Sequence, residues 1–159
     1  MTLNLLLVED TQSDVFFMKR AMKVVGVTHP LHVVEDGQQA LDYLQGAGPF
    51  ADRGQFPLPC LILLDLKLPQ VPGLEVLEWI RARPGLETIP VVVFTSSSLD
   101  DDIDRAYRLG ANSYLVKPMS LDALVEVVKG INDYWLKLNR LPPQFFDFSI
   151  QASREIGNE

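Results

Sequence analysis

Five times along this chain a short apolar run gives way to a stretch whose apolar residues recur at helical spacing. The runs are Leu3–Val8, Leu31–Val34, Leu61–Asp65, Pro90–Phe94 and Ser113–Val116. Most are nearly continuous in Leu, Ile and Val rather than alternating, the pattern of strands buried on both faces. The helical stripes that follow are Val15, Met18, Met22 and Val25; Ala40, Leu41 and Leu44; Leu74, Leu77 and Ile80; Ile103, Ala106 and Tyr107. A last stripe, Leu121, Leu124, Val125, Val128, Ile131 and Trp135, lies in a helix running from Leu121 to Leu138. Strands that alternate with helices imply an α/β domain, a parallel sheet with helices on both faces. The segment Gly46–Pro59 breaks the rhythm with Gly46, Gly48, Pro49, Gly54, Pro57 and Pro59, and is expected to be a surface loop.

At 159 residues the chain is expected to form one domain. Its 14 Lys and Arg against 21 Asp and Glu give a net charge of −7, which argues against an electrostatic grip on nucleic acid or on an anionic membrane. No apolar run approaches the roughly 18 residues needed to span a bilayer, and no secretory leader is evident. A cytoplasmic location is the expectation. Cys60 is the single cysteine and is expected to be a small buried hydrophobe; it excludes a disulfide framework and a Cys-rich zinc site.

Ligands in an open parallel sheet bind beyond the carboxyl ends of the strands. Glu9 and Asp10 end the first strand, Asp65 the third, Thr95 the fourth and Lys117 the fifth. The topology therefore brings three carboxylates, a hydroxyl and an ammonium to one place. Crowded carboxylates repel one another unless a cation lies among them, and hard oxygen donors suit Mg²⁺. Asp65, at a rigid strand end, is placed to act as a nucleophile toward phosphorus. Mg²⁺ and Lys117 would neutralise the developing charge, and Thr95 could donate a hydrogen bond to it.

Glu9-Asp10, Asp65 within Leu-Leu-Asp-Leu-Lys-Leu-Pro, Thr95 within Phe-Thr-Ser-Ser, and Lys117-Pro118 together resemble the receiver domain of two-component response regulators. The resemblance spans about residues 3–138 and implies a flavodoxin-like (βα)5 three-layer sandwich with strand order 2-1-3-4-5. It implies phosphorylation of Asp65 by a sensor histidine kinase, with Mg²⁺ held by Glu9, Asp10, Asp65 and the backbone carbonyl of Lys67. Thr95 and Lys117 would touch the phosphoryl oxygens, Thr95 and Tyr114 would form the conformational switch, and Pro118 would follow a cis bond. Such a chain is a phosphoacceptor that catalyses its own phosphorylation and dephosphorylation, not a metabolic enzyme. The alternatives are a receiver-fold interaction module that is never phosphorylated, and a Mg²⁺-dependent aspartyl-phosphate phosphohydrolase. The hydrolase usually needs a second Asp where this chain has Lys67.

The resemblance implies a receiver over residues 1–140 and a tail over 141–159 with no output domain. The long Gly46–Pro59 loop and the lack of an output domain make the chain similar to single-domain regulators of cyanobacterial and bacterial phytochrome-type kinases. A downstream protein partner of unknown identity is expected. Phe145, Phe146 and Phe148 in the tail, with Tyr134 and Trp135 nearby, call for burial on the last helix or on a second copy, so a homodimer is expected. Phe16 and Phe17 cannot both face the core. The aspartates at 100, 101, 102 and 104 suit a helix N-terminus through its dipole.

Overall fold

The computed structural model describes residues 3–143. Strands β1 (Leu5–Val8), β2 (Leu31–Val34), β3 (Leu61–Leu64), β4 (Val91–Thr95) and β5 (Ser113–Val116) alternate with helices α1 (Gln12–Val25), α2 (Gly37–Gln45), α3 (Gly73–Arg81), α4 (Asp100–Arg108) and α5 (Leu121–Asp133). All strand pairs are parallel, and the sheet order is β2-β1-β3-β4-β5. The expected order is thus observed.

Successive strand residues point to opposite faces, and here both faces are covered. Leu6, Val8, Ile62, Leu64, Val91 and Val93 meet Ala40, Tyr43 and Leu44 of α2, Val76, Leu77 and Ile80 of α3, and Ala106 of α4. Leu5, Leu7, Leu61, Leu63, Val92 and Phe94 meet Met18, Ala21 and Met22 of α1 with Leu124, Val128 and Ile131 of α5. Cys60 is buried in this second core, and burial pushes its thiol up to about 11. Among the described residues no helix is long and apolar enough to cross a membrane.

Two local expectations change, and a third is refined. Tyr107 does not face inward: it is half exposed, because Ile103 and Ala106 define the inner line of α4 and Tyr107 lies a quarter turn away. The last helix is α-helical only to Asp133. It then widens into a π-turn over Tyr134–Leu138, in which the Asn139 N–H donates to the Tyr134 carbonyl five residues back (2.6 Å). The wider turn advances the register, so Leu136 is buried and Trp135 only partly so. The Gly46–Pro59 segment is a surface connection with its own small aromatic core. Phe50 and Phe56 pack with Tyr43, their centroids 5.2 Å apart and edge to face. Arg53 donates to the Tyr43 and Leu44 carbonyls (2.7 and 2.8 Å), satisfying the end of α2.

The β3–α3 connection is held tightly. Gly37 and Gly73 have no room for a side chain: a Cβ on Gly37 would strike the Val71 carbonyl, and one on Gly73 the Asp65 carbonyl. Between them Gln70 has a positive φ of 69°, inside a γ-turn closed by the Val71 N–H donating to the Pro69 carbonyl (2.9 Å). Gly130, in contrast, faces open space in the middle of α5. Chemical denaturation should therefore separate the two glycine types. Gly73→Ala should lose about 1–3 kcal/mol through backbone overpacking, whereas Gly130→Ala should gain about 0.5–1 kcal/mol from helix propensity.

Candidate functional site

The register fixes which side chains meet. Val8 pairs with Leu64, so Glu9 and Asp65 emerge side by side. Thr95 pairs with Val116, so Lys117 emerges beside Thr95. Backbone bonds carry the ladder one residue further: Glu9 N–H to Val34, Asp65 N–H to Val8 (3.1 Å) and Lys117 N–H to Thr95 (2.7 Å). These bonds orient residues that lie just beyond the strands.

Carboxylate oxygens of Glu9, Asp10 and Asp65 all lie within 4.8 Å of one another. Glu9 and Asp65 are buried and Asp10 is exposed. The Lys117 ammonium reaches Glu9 Oε2 at 2.6 Å, Asp65 Oδ2 at 2.8 Å and Asp14 Oδ2 at 2.9 Å. Glu9 Oε1 accepts from the Thr11 N–H (3.1 Å), and Asp65 Oδ1 faces the Lys67 N–H (3.4 Å). Burial raises the Glu9 carboxyl to about 6; the Lys117 hydrogen bond opposes this and the Asp65 charge adds to it. Burial alone would lower the Lys117 ammonium, but the bonds to Asp65, Glu9 and Asp14 outweigh it and hold the ammonium above its ordinary value.

Thr95 is fully buried, and its Oγ1 has no hydrogen-bond partner. A buried hydroxyl left unpaired costs about 1–3 kcal/mol, so the position is set to donate to an incoming group. Tyr114 is partly buried against the α2–α3–α4 core, and its hydroxyl donates to the Ser97 carbonyl (2.8 Å). Ser97 Oγ in turn donates to Asp102 Oδ2 of α4. The donor set fits a hard divalent cation: three clustered carboxylates with a single ammonium among them.

Glu9, Asp10, Asp65, Thr95 and Lys117 thus converge as expected. One expectation fails. The Lys117–Pro118 bond is trans, as are all peptide bonds among the described residues; trans is the intrinsically lower-energy isomer for X–Pro. Asp14 is a site residue that sequence reasoning missed. It reads as an ordinary first-turn acid, and only the packing of α1 beside the end of β5 brings it to Lys117. Phe16 and Phe17 are both exposed, at 60% and 44%, and stack edge to face. Tyr134 and Trp135 form a second edge-to-face pair at a groove of about 490 Å³ between β5 and α5. Phe145, Phe146 and Phe148 lie outside the described residues.

A doubly wound sheet with this constellation at its carboxyl edge defines a receiver of the two-component type. The response regulator receiver domain family matches residues 5–129, and the chain belongs to that family, a family of signalling proteins phosphorylated by histidine kinases. Among its relatives, the probable methanogenesis regulatory protein FilR2 of Methanothrix harundinacea is 44% identical over 87% of this chain and 86% of its own. Response regulator Rcp1 of Synechocystis is 41% identical over 87% of this chain and 92% of its own. The phosphorylated cyanobacterial phytochrome response regulator RcpA is 39% identical, with a TM-score of 0.83 over 89% of this chain and 99% of that structure. Rcp1 has also been solved in a Mn²⁺-bound form (TM-score 0.79, 40% identity, 87% and 98% coverage).

The fold favours a neutral Glu9, so this contribution to stability is complete below the ordinary carboxyl value of 4.5 and disappears as pH rises through about 6. Metal-free protein should therefore gain about 1 kcal/mol on acidification across this window, a figure discounted for solvent screening. Glu9→Gln should flatten that part of the denaturation profile.

Proposed function

We propose that the chain is a cytoplasmic phosphorelay regulator whose Asp65 takes a phosphoryl group from the phosphohistidine of a phytochrome-type sensor kinase. The observation that carries this reading is the unpartnered, buried hydroxyl of Thr95 beside an Asp65–Lys117 pair at the sheet's carboxyl edge. An Asp65 oxygen attacks phosphorus, the P–N bond to the kinase imidazole breaks, and its electron pair returns to the ring nitrogen. Lys117 and Thr95 hold phosphoryl oxygens as the transfer proceeds. Glu9, Asp10, Asp65 and the Lys67 carbonyl would hold Mg²⁺, which supplies charge neutralisation at the phosphoryl group when bound. The Mn²⁺-bound state of Rcp1 and the acidic cluster support that assignment.

Thr95 and Tyr114 form the switch. Drawing the threonine hydroxyl toward the phosphoryl group alters the space available to the tyrosine ring and the strength of its bond to Ser97. The receiver occupies residues 1–140. The exposed Tyr134, with Trp135 and the tail aromatics Phe145, Phe146 and Phe148, contributes to a homodimer. A downstream protein reads the switched surface.

Incubation with Mg²⁺ and acetyl phosphate should add one phosphate to the intact mass, and Asp65→Asn should abolish the gain. No gain in the wild type would overturn the reading in favour of an unphosphorylated interaction module, and continuous rapid phosphate release would favour a hydrolase. Sedimentation should show a dimer that weakens when residues 144–159 are removed; a monomer in both cases would sink the dimer.

A further inference from the structure

We infer that Asp14 is a positioning residue that competes for Lys117 and so restrains phosphoryl transfer, an inference that rests on Asp65 being the phosphoacceptor. A lysine ammonium has three N–H donors and no acceptor. In this structure the ammonium donates to Asp65 (2.8 Å) and Asp14 (2.9 Å) and pairs with Glu9 at 2.6 Å, so three carboxylates already crowd it. A phosphoryl oxygen arriving at Asp65 needs one of its donors.

The three acceptors are not equally easy to release. Glu9 and Asp65 are buried, and each needs a cation beside it, Lys117 or a bound metal, whereas neither can turn to bulk water. The Asp14 side chain is 39% exposed and can exchange Lys117 for water. Its charge stands within two hydrogen-bond lengths of Asp65 Oδ2, close enough to repel an anion bound there. It also makes no N-cap: Thr11 occupies that position on α1, and its N–H is taken by Glu9. Asp14 further lines a cavity of about 290 Å³ with Phe17, Lys117, Met119 and Leu121, so its carboxylate and the Lys117 ammonium share one opening.

With acetyl phosphate, Asp65 forms a new P–O bond, the donor's P–O bond to its acyl group breaks, and acetate leaves with the electron pair. Removing the Asp14 charge frees one Lys117 donor and lowers the repulsion felt by the donor.

The test is the rate of mass gain with Mg²⁺ across acetyl phosphate concentrations, at low and high salt. Asp14→Asn and Asp14→Ser should both be faster by about three- to tenfold at low donor concentration, chiefly through a lower half-saturating concentration. Added salt should shrink the difference. Asp133→Asn, an equal change of net charge at the far end of α5, should match the wild type. If both Asp14 variants gain phosphate no faster than wild type, or if Asp133→Asn accelerates equally, Asp14 is only a first-turn acid serving the helix dipole. Absence of any gain in the wild type would instead remove the phosphoacceptor reading itself.

Discussion

The arrangement depends on one ammonium shared by three carboxylates. Four acids, Glu9, Asp10, Asp14 and Asp65, gather at the carboxyl edge of the sheet, and Lys117 is the cation that touches three of them. Lys117 also binds three elements together: Glu9 follows β1, Asp65 follows β3, and Asp14 sits in the first turn of α1. Without it the buried pair Glu9 and Asp65 would face each other unshielded, and burial would push protons onto them. The raised Glu9 carboxyl is the residue of that conflict: the ammonium reduces the penalty without removing it. A site in this condition has affinity for a further cation built into it.

Holding these charges together requires a rigid support. Each central strand buries both faces, so a slip of one residue would expose an entire row of Leu, Ile or Val. That penalty fixes the register, and the register fixes where Glu9, Asp65 and Lys117 emerge. The β3–α3 connection adds a second constraint. With Gly73 pressed on the Asp65 carbonyl and Gly37 on the Val71 carbonyl, the backbone around Asp65 has little freedom to move. The Asp65 side chain is therefore positioned by packing on both sides of it in sequence.

The elements were legible because apolar runs and helical stripes alternate without ambiguity; β2 and β5 emerge at the residues expected, and β1, β3 and β4 begin or end within a residue or two. The strand-end residues were legible for the same reason, since topology alone brings them together. What escaped depended on three-dimensional packing. Asp14 carries no motif, and its role arises from where α1 lies. Tyr107 was misplaced, and Trp135 packs on the core only in part, because helical periodicity assumes an unbroken helix and a wide inner face. The π-turn at Tyr134–Leu138 and the short α4 violate those assumptions. The aromatic packing of Phe50 and Phe56 on Tyr43 was hidden by the surrounding Gly and Pro, which read as open loop.

The unpaired hydroxyl of Thr95 links the site to the rest of the molecule. Its cost is borne in the resting protein, where every other buried side-chain donor or acceptor among the described residues has a partner. A phosphoryl oxygen would supply the missing acceptor, so binding there recovers energy already spent in folding. Two residues along the same loop, Ser97 holds Tyr114 through its carbonyl and Asp102 through its hydroxyl. Any shift of the Thr95 backbone would pass through that loop to a strand-β5 ring and the first turn of α4 together. One serine thus serves both contacts, the carbonyl toward β5 and the hydroxyl toward α4, and so ties the loop after Thr95 to the α4–β5 surface.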